Sequence, residues 1–213
     1  MDSKLFAEIL LRTQSVKVST NPPFTYTSGI KSPIYCDNRR LISFVEERKQ
    51  VVKGFKELIV NNNLNPSYLA GTATAAIPWA AFLAYEMDLP MVYVRPEPKA
   101  HGTGKQIEGV LPEGAKVLVV EDLVSTGGSS IKTAKVIRNE GKSEVIGVVS
   151  IMTYQMPKAN QGFNEANLNL KTLTNFEILM NVAKNSGALS EADYKLAIEW
   201  NKDPENWGTN FKL

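Results

Sequence analysis

The sequence predicts an α/β fold in which a mainly parallel central sheet is flanked by helices. Three observations carry this. The runs VLVV (117–120) and VIGVVSIM (145–152) are apolar with little polar alternation, which marks strands covered on both faces. Helical patterns separate the strand-like runs. Turns rich in small and hydroxyl residues follow the strand-like runs 68–71 and 116–122, at the carboxyl ends where open parallel sheets take their ligands. With 213 residues, the chain can bury one sizeable core and is read as a single domain over 1–213.

The elements follow in order. Leu5, Phe6, Ile9 and Leu10 give an N-terminal helix its stripe. Residues 19–40 hold three prolines and a glycine and read as turns around short extended pieces. Ser43 and Glu46 form a capping-box pattern that opens a helix to about 60, with Val45, Val52, Phe55 and Ile59 inward. A strand at 68–71 leads into a helix over 76–87, with Pro78 in its first turn. Residues 91–95 read as a strand. The next stretch, 96–114, holds seven Gly and Pro residues and reads as one long loop. A strand over 116–122, a helix over 129–139 ended near Gly141, and a strand over 144–152 complete the central part. The C-terminal third adds a strand near 169–173, a helix near 175–185, and a helix opened by Ser190 and Asp193.

Composition excludes several function classes. The 24 basic and 22 acidic residues leave a net charge of +2, too little for a general grip on nucleic acid or anionic lipid. One cysteine, Cys36, and one histidine leave no disulfide framework and no zinc cage of the usual kind. Glu8 and Arg12 break the apolar N-terminal stretch, so it does not read as a signal peptide. Residues 68–85 carry no charge, but their Ala, Gly and Thr content and central Pro78 favour a buried strand and helix over a membrane span. A cytoplasmic location is the expectation.

The strongest chemical signal is VLVVEDLVSTGGSS (117–130). An apolar strand ends in two carboxylates, Glu121 and Asp122, followed by Leu123 and Val124. Ser125, Thr126, Gly127, Gly128 and Ser129 then open a helix. Such a helix start offers free N–H groups and a partial positive charge, while glycines let the backbone close on a phosphate. The carboxylates would repel a phosphate, so beside one they must face hydroxyls or a metal; a ribose diol with Mg²⁺ suits them. Neither G-x-x-x-x-G-K-[ST] nor a strand-linked G-x-G-x-x-G is present.

A second signal gathers Arg95, Lys99, His101 and Lys105 among glycines and prolines over 94–109. Such a loop can be a solvated surface segment, or a lid that closes cations over a polyphosphate. The turn AGTATAAIP (70–78) offers amides to a ligand, or simply close packing of helix on strand. In SGIKSPIYCDNRR (28–40), Lys31, Arg39 and Arg40 offer charge and Tyr35 a stacking face.

On these residues the chain resembles a known family. VLVVEDLVSTGGSS looks like the 5-phosphoribosyl 1-diphosphate (PRPP) motif of type I phosphoribosyltransferases. RPEPKAHGTGKQIEG and FTYTSGIKSPIYCDNR resemble the catalytic loop and base region of the orotate phosphoribosyltransferases. The likeness spans most of 1–155. It implies transfer of the phosphoribosyl group from PRPP to orotate, giving orotidine 5′-phosphate and pyrophosphate, with Mg²⁺, in de novo pyrimidine synthesis. It also implies a small base-binding hood from about residues 1–40.

By matching position, Arg95, Lys99, His101 and the run from Glu121 through Ser129 would bind PRPP. Lys99, His101 and Asp122 would be catalytic, and Glu121 and Asp122 would hold Mg²⁺ directly or through water. Ser125, Lys31 and Tyr35 would meet orotate. The 95–109 loop would reach the neighbouring active site of a homodimer; no nucleic acid or membrane partner is expected. Thr27, Pro96 and Tyr154 stand where the better-known form of the family has a lysine, a second basic residue and an arginine, leaving Lys31, Arg39 or Arg40 to meet the base carboxylate. Two alternatives are a phosphoribosyltransferase for another nucleobase and a PRPP-sensing regulator of the same fold. The SG-x-KSP-x-Y segment speaks against the first, the loop cations and small net charge against the second.

Overall fold

The computed structural model describes residues 2–26, 29–98 and 104–210. Its centre is a six-stranded sheet, β10-β9-β8-β5-β6-β7. These strands are β5 (Tyr68–Thr72), β6 (Met91–Val94), β7 (Ile107–Glu108), β8 (Lys116–Val124), β9 (Glu144–Thr153) and β10 (Leu170–Asn175). All neighbours run parallel except β7, which pairs antiparallel with β6. Helices α2 (Val45–Asn61), α3 (Ile77–Met87), α4 (Gly128–Asn139), α5 (Pro157–Glu165), α6 (Phe176–Asn185) and α7 (Glu191–Lys202) accompany the strands.

Both faces of β8 are buried, and its alternation divides the core. Leu118 and Val120 join a cluster with residues of α2, α3, α6 and α7, while Val117 and Val119 join one with residues of α4 and α5. This explains the unbroken apolar run. Pairing of β5 with β8 ends at Gly71↔Val120, but β8 continues against β9 as far as Val124↔Thr153. The acidic doublet therefore lies just past the end of β5, where one edge of β8 is open.

Helix α1 (Ser3–Arg12) packs against α6 and β10 and puts Phe6, Ile9 and Leu10 into the main core. It packs with the body, and within the expected 1–40 hood the short strands fall in residues 16–36. There β1 (Val16–Val18) pairs with β4 (Ile34–Cys36), and β2 (Phe24–Thr25) with β3 (Lys31–Ser32).

Four expectations are corrected. Ser43 sits in a 3-10 turn (Asn38–Ser43) and Phe44 takes the N-cap of α2 without a side-chain cap, so no capping box forms; Val45 is 49% exposed. Leu5 faces outward at 37% exposure. The 96–114 stretch contains the edge strand β7, whose two residues are too few for a periodic signal. Helix α5 has no counterpart in the sequence expectations: Ala159 and Phe163 are its only buried residues, one turn apart, and Gly162 and Pro157 dilute the pattern.

Among the described residues, no helix is long and apolar enough to cross a membrane. Residues 68–85 form β5 and α3 instead, with Pro78 in the first turn of α3.

Candidate active site

The turn after β8 is built by its glycines. Gly127 takes a left-handed backbone, φ +80°, at the N-cap of α4. A Cβ there would lie 2.7 Å from the Phe163 ring of α5, so packing also demands glycine. Gly128 differs: a Cβ would meet nothing nearer than Thr126 Oγ1 at 4.0 Å. No packing requires its bareness, and the cradle stays open in front of the amides of the first turn. The Ile131 amide is the first to close onto the turn, at Gly127 O.

The carboxylates divide. Glu121 is 4% exposed and turned under the turn, where its Oε2 accepts from Ser129 Oγ (3.0 Å) and Ser130 Oγ (2.9 Å). Its Oε1 accepts from the Asp122 amide at 3.2 Å. Burial, and next the adjacent Asp122 charge, push the Glu121 carboxyl up to about 8. Burial also raises Asp122, against hydrogen bonds from Glu121 and from backbone. Asp122 is the more open of the pair. Its carbonyl accepts from Asn38 Nδ2 at 2.7 Å, which ties the 3-10 turn to the end of β8.

Ser129 lies in the predicted turn, but its hydroxyl serves Glu121, leaving only its amide to the cradle. Leu123 and Val124 are strand residues paired with Met152 and Thr153. Ser125 and Thr126 line a cleft of about 490 Å³ between the turn and the β2–β3 hairpin. Tyr26 and Ile30 line it from the hairpin, Met156 and Lys158 from the start of α5, and Trp200 and Lys202 from α7.

The cations of the 28–40 segment lie elsewhere. Lys31 Nζ donates to Thr25 Oγ1 at 2.8 Å. Arg39 Nε donates to Asp37 Oδ1 at 2.6 Å, and Arg40 Nε to Thr13 O at 3.4 Å. Tyr35 is 42% exposed, beside Phe24 at 5.7 Å between ring centroids. Neither Lys31 nor Tyr35 lines the cleft; its cations among the described residues are Lys158 and Lys202. Tyr154 stands buried against Phe176 and Trp200. Tyr26, Trp200 and Lys202 were not singled out from sequence. The signal that marks the last two is the tail EWNKDPENW (199–207), in which two tryptophans flank an Asp-Pro pair.

Two further turns meet the same end of the sheet. At the end of β5 a Cβ on Gly71 would lie 3.1 Å from Ala76 O and from Ala80 Cβ, so close packing alone explains this glycine. Arg95 follows β6, and its Nη1 reaches Glu108 Oε1 at 3.4 Å. The segment after it returns at a fixed point. Arg95 N bonds Gln106 O, Gln106 Nε2 bonds Arg95 O, and the amides of Gln106 and Ile107 both bond the Glu140 carboxylate. Lys99, His101 and Thr27 lie outside the described residues.

Comparison with known proteins gives the same direction. The model of the phosphoribosyl transferase domain matches residues 44–166. The orotate phosphoribosyltransferase of Coxiella burnetii is 45% identical over 201 residues, 94% of this chain and 96% of its own. The crystal structure of orotate phosphoribosyltransferase from Aeropyrum pernix superposes with a TM-score of 0.73 at 28% identity, over 87% of this chain and 99% of its own. The fold is also that of the Mycobacterium tuberculosis orotate phosphoribosyltransferase in complex with 5-phospho-alpha-D-ribosyl 1-diphosphate. There the TM-score is 0.65 and the identity 23%, over 84% of this chain and 99% of that one.

Proposed function

The chain belongs to the phosphoribosyl transferase domain family and, within it, to the orotate phosphoribosyltransferases; from that membership we propose how its own residues divide the work. It is a pentosyltransferase that joins orotate to the phosphoribosyl group of PRPP. The observation that carries the assignment of parts is the sharing of Ser125 and Thr126. They belong both to the turn with the open cradle and to the wall of the cleft beneath the hairpin. An anion seat and a slot for a flat base therefore adjoin, as one molecule joining a sugar phosphate to a base requires.

The 5′-phosphate sits on the amides of Thr126, Gly127, Gly128 and Ser129 at the start of α4. Asp122 faces the ribose hydroxyls past the end of β5, while Glu121, held by Ser129 and Ser130, fixes the shape of the turn from beneath. The reaction breaks the C1–O bond, pyrophosphate leaves with the electron pair, and N1 of orotate bonds to C1 with loss of its proton. Positioning and charge neutralisation are the protein's main contributions. Adjacent carboxylates at the end of β8 supply the hard oxygen donors that a divalent cation takes. Glu121 and Asp122 would hold Mg²⁺, which supplies charge to the departing diphosphate. Arg95, Lys99 and His101 complete that neutralisation from the loop of a partner copy in a homodimer. Reaction in the cytoplasm, within pyrimidine synthesis, fits this substrate pair.

The test is orotate consumption followed by absorbance with PRPP and Mg²⁺, against uracil, hypoxanthine and adenine. Orotate alone should be consumed; turnover of a rival base without orotate would reassign the enzyme.

A further inference from the structure

The C-terminal helix and tail reach back across the molecule to the hairpin over the cleft. The indole N–H of Trp200 donates to the Lys31 carbonyl of β3 at 3.1 Å, across 169 residues of sequence. Trp200 is fully buried, its ring 5.7 Å from Tyr154 and 5.8 Å from Phe176 between centroids. Tyr26, which lines the cleft, donates to Ile34 O at 2.8 Å and accepts from Ser32 Oγ of β3 at 3.0 Å. The tail closes the contact from outside: a Cβ on Gly208 would lie 2.9 Å from Lys31 Cβ. Trp200 and the tail residues Asp203 and Pro204 also line the cleft.

We propose that this C-terminal arm, residues 200–208, is a wall of the base subsite and that Trp200 is a positioning residue for the base. The β2–β3 hairpin has only two residues per strand, too few to hold itself over a ligand. Trp200 fixes the hairpin's height above Ser125 and Thr126 through the Lys31 carbonyl, and the base enters a slot whose width the arm sets. The phosphate seat and the acidic doublet lie on β8 and α4 and make no contact with the arm through Trp200's hydrogen bond. Disturbing the arm therefore acts on the base and spares PRPP. This inference rests on the reading of the cleft as the orotate site.

Two full-length variants test it from opposite ends of the arm. Trp200→Phe keeps an aromatic ring and removes the N–H; Gly208→Val pushes on the Lys31 side chain. Steady-state kinetics should show the KM for orotate up about fivefold in Trp200→Phe, as expected for one lost hydrogen bond, and raised also in Gly208→Val, with the KM for PRPP within about twofold of wild type in both. Orotate should also change the tryptophan fluorescence of the wild type through Trp200, and Trp200→Phe should lose that change. An unchanged orotate KM in both variants, or a parallel rise for both substrates, overturns the inference. If wild-type enzyme converts orotate normally while either result is found, the functional reading stands and only the arm's role falls. A wild type that ignores orotate removes both.

Discussion

At Gly127 the left-handed backbone and the Phe163 ring both forbid a side chain, whereas at Gly128 neither does. Gly127→Ala should cost about 1–2 kcal/mol from the backbone alone, with more from displacing Phe163, and should lower the melting temperature clearly. Gly128→Ala should leave melting nearly unchanged yet raise the KM for PRPP, because its methyl enters the cradle. Equal kinetics for Gly128→Ala and wild type would show that no phosphate occupies that space. The buried Glu121 sets a pH dependence. Its folded carboxyl lies at about 8, above the ordinary 4.5, so the neutral form is the one the fold favours. Its contribution is full below about 4.5 and is lost as pH rises through about 8. Metal-free wild type should thus lose stability over that window in denaturant titrations, and Glu121→Gln should flatten the slope.

Among the elements, those with dense apolar runs were legible: β8, β9, α3 and α4 lie within two residues of where the periodicity puts them. The turn after β8 was legible too, since its glycines and hydroxyls stand together in sequence. What escaped depends on distant partners. No local pattern says that Ser129 turns its hydroxyl inward to Glu121, that Lys31 spends its amine on Thr25, or that Trp200 meets Lys31. Lys158 and Lys202 were passed over because long charged side chains on helices are usually solvated. Helix α7 shows how a cap reaches the site. Ser190 accepts from the Asp193 amide at 3.1 Å, and Asp193 also takes a hydrogen bond from Thr20 near the hairpins. Ser190→Ala should cost about 1 kcal/mol, read by urea unfolding, with the orotate KM rising as the N-terminal end of α7 loosens. A stability equal to wild type would show that the cap is dispensable.

For the molecule as a whole, the proposed dimer has a sharp test. Lys99→Ala and Asp122→Asn should each abolish most turnover. Unfolded and refolded together, they form mixed pairs in which one site has both an intact body and an intact partner loop. About a quarter of wild-type activity should return. A mixture as inactive as its parents would place the loop over its own subunit's site. The structure also limits how such a pair is assembled. The Arg95–Gln106 junction, bolted to Glu140, is a fixed root for the ten residues between them. Half of such a stretch spans at most about 18 Å when fully drawn out. The neighbour's pyrophosphate must therefore come to rest within that reach plus the length of one side chain from the root, so the tether, more than the loop's own chemistry, dictates which two-fold arrangements are workable.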